Sequence, residues 1–455
     1  MAFARSQTDA GPLAGTLSKR KAPPRAVTFL AVCCTVFAGL GDWKVLNEAL
    51  GGLPKVIALG AIVCAFMNFL VEADFDNFKK AARYLPLFLS VIALYTLVSM
   101  YIWITSFTDM AVISRGAQKI LFQLITIIYA VCMCYLFEAR AVNVLFFCMC
   151  MTNGAIMLLE MPKYGLVESV SSVVTCVLTF GEAEGYVRAL EIHDITFLFG
   201  QFLLYYLMFA PRERKREKHI RWLNVFLCLF FMLVGLKRSA LPAVAAVAVF
   251  VFIARQVKRP DRLVLGTGIT LFLFLYVFLY LVRTGILVDF LESLGVDLMG
   301  RRLLWSLPNP YYEFSPLWKG LGFEGVTELI GRWYDSGILN HPYPLHNDIL
   351  KLFIELGAPG FTLWALINYI WYPWYWTKRC GAKCGLLYMA LLCYMTVTYL
   401  TDNTALYFWS SVGLRLIPMS FSYRRDDTTR KELWRPPSAE EAASEIWAIE
   451  MRGSM

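Results

Sequence analysis

Apolar residues in this chain come in blocks of about 15 to 25, parted by short polar connections that carry most of the charge. A helix of about 20 residues spans roughly 30 Å, the hydrocarbon thickness of a bilayer. Lipid offers no hydrogen bonds to a backbone, so each block must close its own helical ladder. The pattern predicts helices near residues 26–41, 53–71, 84–107, 117–137, 141–160, 192–210, 222–236, 240–254, 263–283, 347–371, 385–400 and 404–420. The expected fold class is therefore all-α: a polytopic membrane helical bundle of about 12 transmembrane helices over 26–421, with one large periplasmic or extracellular loop at 284–345. Residues 1–25 are polar, basic and rich in Pro, Gly and Ala, and read as a disordered cytoplasmic tail. Residues 422–455 read as a charged cytoplasmic C-terminal tail, in which Ser438 to Met451 has the composition of a short surface helix.

Composition supports the membrane reading. The chain is 58% hydrophobic and 17% charged, against about 25% charged in soluble domains. A net charge of +9 could suggest nucleic acid in a soluble protein. Here the basic residues sit in connections such as Lys79-Lys80, Arg212 to Arg221, Arg255 to Arg262 and Lys378-Arg379. That bias sets topology and places both termini in the cytoplasm. The expected partner is the lipid bilayer, not nucleic acid. Most of the twelve cysteines lie inside apolar blocks, where they behave as small hydrophobes. Cys380 and Cys384 alone have a ligand-like spacing, without a second pair or a nearby histidine, so no metal and no cofactor is expected. No internal repeat is evident, which weakens an inverted-repeat transporter reading.

The segment 284–345 is the informative one. It holds ten aromatic residues, among them Trp305, Tyr311, Tyr312, Trp318, Trp333 and Tyr334. Loops this long that are ordered are usually functional, and aromatic faces suit sugar rings. The plain alternative is an interfacial loop anchored by its Trp and Tyr side chains. Arg301 and Trp305 are four apart and share one helical face. Arg301 and Arg302 run against the charge bias, and guanidinium groups suit a phosphate ligand. Pairing with Glu292 or Asp297 is the alternative. Arg238, at the tip of the hairpin between 222–236 and 240–254, is a second anion clamp or a snorkelling surface cation.

The loop closes on His341-Pro342-Tyr343-Pro344-Leu345-His346-Asn347-Asp348. The prolines keep the approach extended. Asn347 is positioned to cap the next helix, which puts His346 at its mouth. Asn347, Lys351 and Glu355 recur every four residues as a polar stripe entering a membrane helix, where ionisable groups are functional candidates.

In this order, these residues resemble the O-antigen ligase and O-antigen polymerase superfamily. Lys237-Arg238-Ser239 resembles its Ser/Gly-rich hairpin. Gly300-Arg301 through Trp305, Pro316-Leu317 and Gly320-Leu321-Gly322-Phe323 resemble its "GR…W…P…GxGF" loop. His346-Asn347 through Leu350, Glu355-Leu356-Gly357 and Gly360 resemble its "HNxxLxxxxELGxxG" helix, the most specific part. The likeness covers about residues 222 to 371. Lys237, Lys351 and the doubled arginine depart from the pattern, so the clamp is Arg301 or Arg302, with Arg301 favoured by its spacing to Trp305.

The resemblance implies a metal-independent membrane glycosyltransferase of the GT-C type in the bacterial inner membrane, with its active site on the outer face. The implied donor is an undecaprenyl-diphosphate-linked oligosaccharide and the acceptor a glycan or glycolipid hydroxyl. On that reading His346 is the base, and Arg238 and Arg301, supported by Arg302, hold the diphosphate. Asn347 and Glu355 support the site, and Trp305, Tyr311 and Tyr312 meet the sugars. A polysaccharide polymerase (O-antigen, capsule or exopolysaccharide) is favoured over a ligase acting on lipid A core or protein, and both over a lipid-linked oligosaccharide transporter. A chain-length regulator is a further candidate partner.

Overall fold

A computed structural model of the chain describes residues 23–50, 53–106, 108–179, 185–210, 215–235, 237, 240–296, 298 and 300–423. Arg238 and nearly all of both expected tails, including Ser438 to Met451, lie outside these residues.

The protein is a helical membrane bundle, and no strand occurs among the described residues. The principal helices are α1 (Arg25–Leu40), α2 (Leu53–Glu72), α3 (Leu85–Thr105), α4 (Met110–Phe137), α5 (Ala141–Tyr164), α6 (His193–Leu204), α7 (Lys215–Val234), α8 (Ala240–Ala254), α9 (Pro260–Arg283), α10 (Arg301–Ser306), α11 (Gly325–Asp335), α12 (Asp348–Ala365), α13 (Ala382–Thr401) and α14 (Phe408–Tyr423). Every apolar block read from the sequence is helical. Among the described residues five stretches are long and apolar enough to cross a membrane: Leu85–Thr105, Met110–Tyr164, Pro260–Arg283, Asp348–Cys380 and Ala382–Thr401. The pair Arg25–Leu40 and Lys44–Leu50, bent by 95°, makes a sixth if taken together. Met110–Tyr164 is broken at Glu138–Arg140, where Glu138 takes a positive φ of 49° and separates α4 from α5.

α13 is buried along most of its length at the centre of the bundle, while α2 and α3 turn Val63, Phe66, Leu97 and Ile104 outward. Lipid chains are as apolar as leucine, so helices associate here through close packing and interhelical hydrogen bonds. Tyr84 and Ser422 share a 2.7 Å bond, Tyr369 and Thr396 one of 2.9 Å, and Thr35 and Tyr129 one of 2.7 Å. Each contributes roughly 0.6–2 kcal/mol by membrane-protein standards.

Two carboxylates organise the end of the bundle where the long loop lies. Asp194 accepts the backbone N–H groups of Trp409 and Ser410, both at 2.8 Å, capping α14 from another helix. Asp348 accepts the N–H of Ala405 at 2.7 Å. An anion at a helix N-terminus meets both the unpaired N–H groups and the helix dipole. Together they fix the turn from Thr401 to Tyr407.

The loop also enters the membrane helix itself. Within α12, Gly357 leaves helical geometry at φ 68°, just before Pro359. The freed backbone groups find partners in 318–323: Leu321 N–H donates to Ile354 O at 3.0 Å, Gly322 N–H to Glu355 O at 2.9 Å, and Ala358 N–H to Trp318 O at 2.8 Å. Gly320, at φ 93°, is essential to the approach: a Cβ there would lie 2.5 Å from the Glu355 carbonyl oxygen. Broken backbone at membrane depth must be satisfied by protein. The glycines of the two sequence motifs are therefore the two halves of one joint.

Candidate functional site

His346 stands where the extended approach meets α12. Its φ of 50° is left-handed, a conformation that costs a non-glycine residue on the order of 1 kcal/mol or more. Two neighbours hold it. Its N–H donates to Asn403 Oδ1 at 3.1 Å, and Trp305 Nε1–H donates to the Leu345 carbonyl at 3.1 Å. Asn347 caps α12 by accepting the N–H of Leu350 at 3.0 Å, as its position predicts.

The imidazole Nδ1 lies 3.4 Å from Asp402 Oδ1 and 3.1 Å from Asn403 Nδ2. With the proton on Nδ1 the ring donates to Asp402 and Nε2 carries the lone pair. With the proton on Nε2, Nδ1 accepts from the Asn403 amide. Each tautomer therefore has a partner. Asp402 also faces Lys237 Nζ at 3.3 Å, and Lys237 reaches Glu191 at 3.7 Å. Glu191 lies 3.1 Å from His193 Nε2. A line of alternating groups thus runs His193, Glu191, Lys237, Asp402, His346. Burial pushes the Asp402 carboxyl up, but the bond to His346, the Lys237 ammonium and the Asn403 N–H outweigh it and hold it below the usual carboxylate range. Glu191 is lowered mainly by its bond to His193, against burial, with Lys237 adding to the effect.

Arg301 joins the same turn, donating to the carbonyl of Thr401 at 3.0 Å. Arg302, its neighbour, points elsewhere: it forks onto Glu292 at 2.8 and 2.7 Å and reaches Asp289 at 2.6 Å, all in solvent. The pairing with Glu292 expected as the alternative is thus realised for Arg302, while Asp297, the other expected partner, lies outside the described residues.

Beside this turn opens a cleft of about 1000 Å³, walled by the first turns of α4, by α11, by the start of α12 and by Glu191, His193 and Asn403. Lys351 faces it and bonds Glu324 Oε1 at 3.0 Å, with Thr327 at 3.4 Å. Burial pushes Glu324 up, but Lys351 overrides it and holds the carboxyl low. Arg115 of α4 pairs with Glu328 of α11 across the opening.

Glu355 does not line the cleft. It is fully buried, 3.8 Å from Lys351, and accepts the N–H of Val326 at 3.3 Å, supporting the loop from beneath. Trp305 and Tyr312, expected against a sugar, are also interior. Tyr312 lies under the Arg283 guanidinium at 4.5 Å. Tyr311 is exposed and packs on Trp333 at 5.7 Å.

Sequence reasoning missed Asp402, Asn403, Glu191 and His193, and placed Lys237 in the hairpin motif, as a departure from its pattern, without a role in the site. The available signal was the polar run Thr401-Asp402-Asn403-Thr404 between two apolar blocks.

No curated protein gives a significant match to the chain. The model of the O-antigen ligase family matches residues 223–365. That span holds Lys237, Arg301 and His346, while Glu191, His193, Asp402 and Asn403 lie outside it. Over residues 223–365 the chain is therefore similar to O-antigen ligases, which supports the superfamily resemblance read from its motifs.

Proposed function

We propose that this chain is a polysaccharide polymerase of the GT-C type. It transfers a glycan from undecaprenyl diphosphate to a sugar hydroxyl of another lipid-linked repeat unit. The proposed topology is twelve spans with both termini cytoplasmic and the cleft on the outer face of the inner membrane. One observation carries the reading: His346 and Arg301 bond the same turn, Thr401–Asn403, and Asn403 of that turn lines an open cleft.

In this reading the anomeric carbon leaves its diphosphate oxygen, which departs with the bonding electrons. Arg301, with Arg238 and Lys237, meets that developing charge, so stabilisation is assigned to side-chain cations instead of a metal. The acceptor oxygen bonds to the anomeric carbon, and its proton passes to Nε2 of His346. Asp402 holds the Nδ1–H tautomer and favours the imidazolium that forms. Tyr311 is the aromatic face offered to sugar. Trp305, Asn347 and Glu355 position the loop and the mouth of α12, and Arg302 supports α10 through its ion pairs.

A ligase would use the same donor chemistry with lipid A core or protein as acceptor. A deletion strain separates the two. Loss of a polymerase leaves single repeat units on the final acceptor; loss of a ligase strands long chains on the carrier lipid. Stranded long chains would replace the polymerase assignment. Full activity of both His346→Ala and Arg301→Ala at normal membrane levels would remove the catalytic assignment itself.

A further inference from the structure

At the opposite end of α9 the protein has a second cavity, which the proposed reaction does not use. α9 has 24 residues, about 36 Å of helical rise, between its first turn and Arg283 beside the long loop. The cavity, about 710 Å³, lies between the C-terminal end of α8 and the first three turns of α9. Its rim carries Lys258, Arg259 and Arg262, and its walls include Phe250, Leu263 and Leu271.

The three cations are exposed and have no ion pair or side-chain hydrogen bond among the described residues. Arg255, one turn earlier, differs: it lies 5.6 Å over the Phe209 ring. Asp261 falls among the three in sequence but does not line the cavity. Gly266 leaves the floor open, since a Cβ there would meet nothing within 4 Å.

Three like charges within five residues repel one another, and an anion at the rim relieves that repulsion. The walls below it are mainly apolar and belong mostly to a helix long and apolar enough to cross a membrane. A free phosphate would satisfy the rim and leave the walls wetted. A zwitterionic lipid would fill the walls and bring its own ammonium to the rim. Only an amphiphile with net negative charge at its head complements both parts.

We infer that this cavity binds one anionic phospholipid, its phosphate against Lys258, Arg259 and Arg262 and an acyl chain along Phe250, Leu263 and Leu271. The site is independent of the glycosyl-transfer reading.

Native mass spectrometry of the purified full chain, titrated with phosphatidylglycerol or phosphatidylcholine, tests this. The expected result is one saturable phosphatidylglycerol adduct, favoured over phosphatidylcholine by roughly tenfold or more. Arg259→Gln with Arg262→Gln should remove it by deleting charge. Gly266→Leu should remove it by filling the groove with every charge kept. Both variants are checked for an unchanged elution volume and melting temperature, so that loss of lipid is not loss of fold. Equal adducts of both lipids, or full retention in Gly266→Leu, would reduce the cluster to a general positive surface. Displacement of the lipid by millimolar inorganic phosphate would make it a free-anion site. Either result overturns the inference.

Discussion

The joint between 318–323 and the kink of α12 and the turn around His346 lie along the same helix, yet they are built from different materials. The joint is backbone against backbone, made possible where glycines omit a Cβ. The mouth is side chain against side chain, with charges delivered by the segment before α6, the end of α7, the end of α13 and the start of α12. Steric fit decides the first and electrostatics the second. A change in the joint should therefore cost the fold, and a change in the mouth should cost chemistry while the bundle survives.

The sharpest break in the comparison is Gly320→Ala. Strain at φ 93° and overpacking against the α12 backbone each cost about 1–3 kcal/mol, so the loss should be roughly 2–6 kcal/mol. Membrane levels and the detergent melting temperature should both fall. A wild-type melting temperature would mean that the loop does not brace the kink.

His346 should behave in the opposite way. His346→Gly removes the proposed base and should lower turnover by about 10²–10⁴. It also relieves a left-handed non-glycine residue, so stability should hold or rise by up to about 1 kcal/mol. Parallel falls in turnover and melting temperature would make His346 a structural residue.

Asp402→Asn tests the counter-charge. Supporting groups of this kind are typically worth 10–100-fold in activity. Because the folded carboxyl is held below its ordinary range, its stabilising effect is complete above the unfolded pKa, about 4, and fades only as pH falls toward the lower folded value. The melting-temperature gap between wild type and Asp402→Asn should thus be flat from pH 8 to pH 5 and narrow below about pH 4. A gap that changes between pH 5 and 8 would remove the assignment of this stabilisation to the Asp402 carboxylate.

The two regions also differ in how far they could be read from sequence. The helices follow from block length, because lipid permits no other backbone solution. The joint was visible as glycine motifs, though not as one object, since a motif does not say which backbone it will touch. His346 and the capping role of Asn347 followed from local spacing. Its charged partners did not: Asp402 is 56 residues away, Glu191 precedes it by more than a hundred, and neither shares a local period with it. Trp305 and Tyr312 were assigned to sugar because aromatic character alone does not distinguish a ring that meets ligand from one that packs under Arg283.

The smallest effect, and the finest test of the mouth, comes from two adjacent arginines. Arg301 donates to the Thr401 carbonyl within the charged turn, whereas Arg302 is spent on Glu292 and Asp289 with its side chain 56% exposed. Ion pairs in solvent gain little, because water screens them and holding long side chains costs entropy. Arg302→Ala should therefore leave polymer length and yield within roughly threefold of wild type, with an unchanged melting temperature. Arg301→Ala, one residue earlier, should remove the polymer ladder at equal membrane levels. If Arg302→Ala also removes the ladder, the diphosphate contact belongs to Arg302, which must then leave its carboxylates to reach the cleft. A matched pair of Glu292→Gln and Asp289→Asn would free it to do so, and activity should rise in that variant only if that alternative holds.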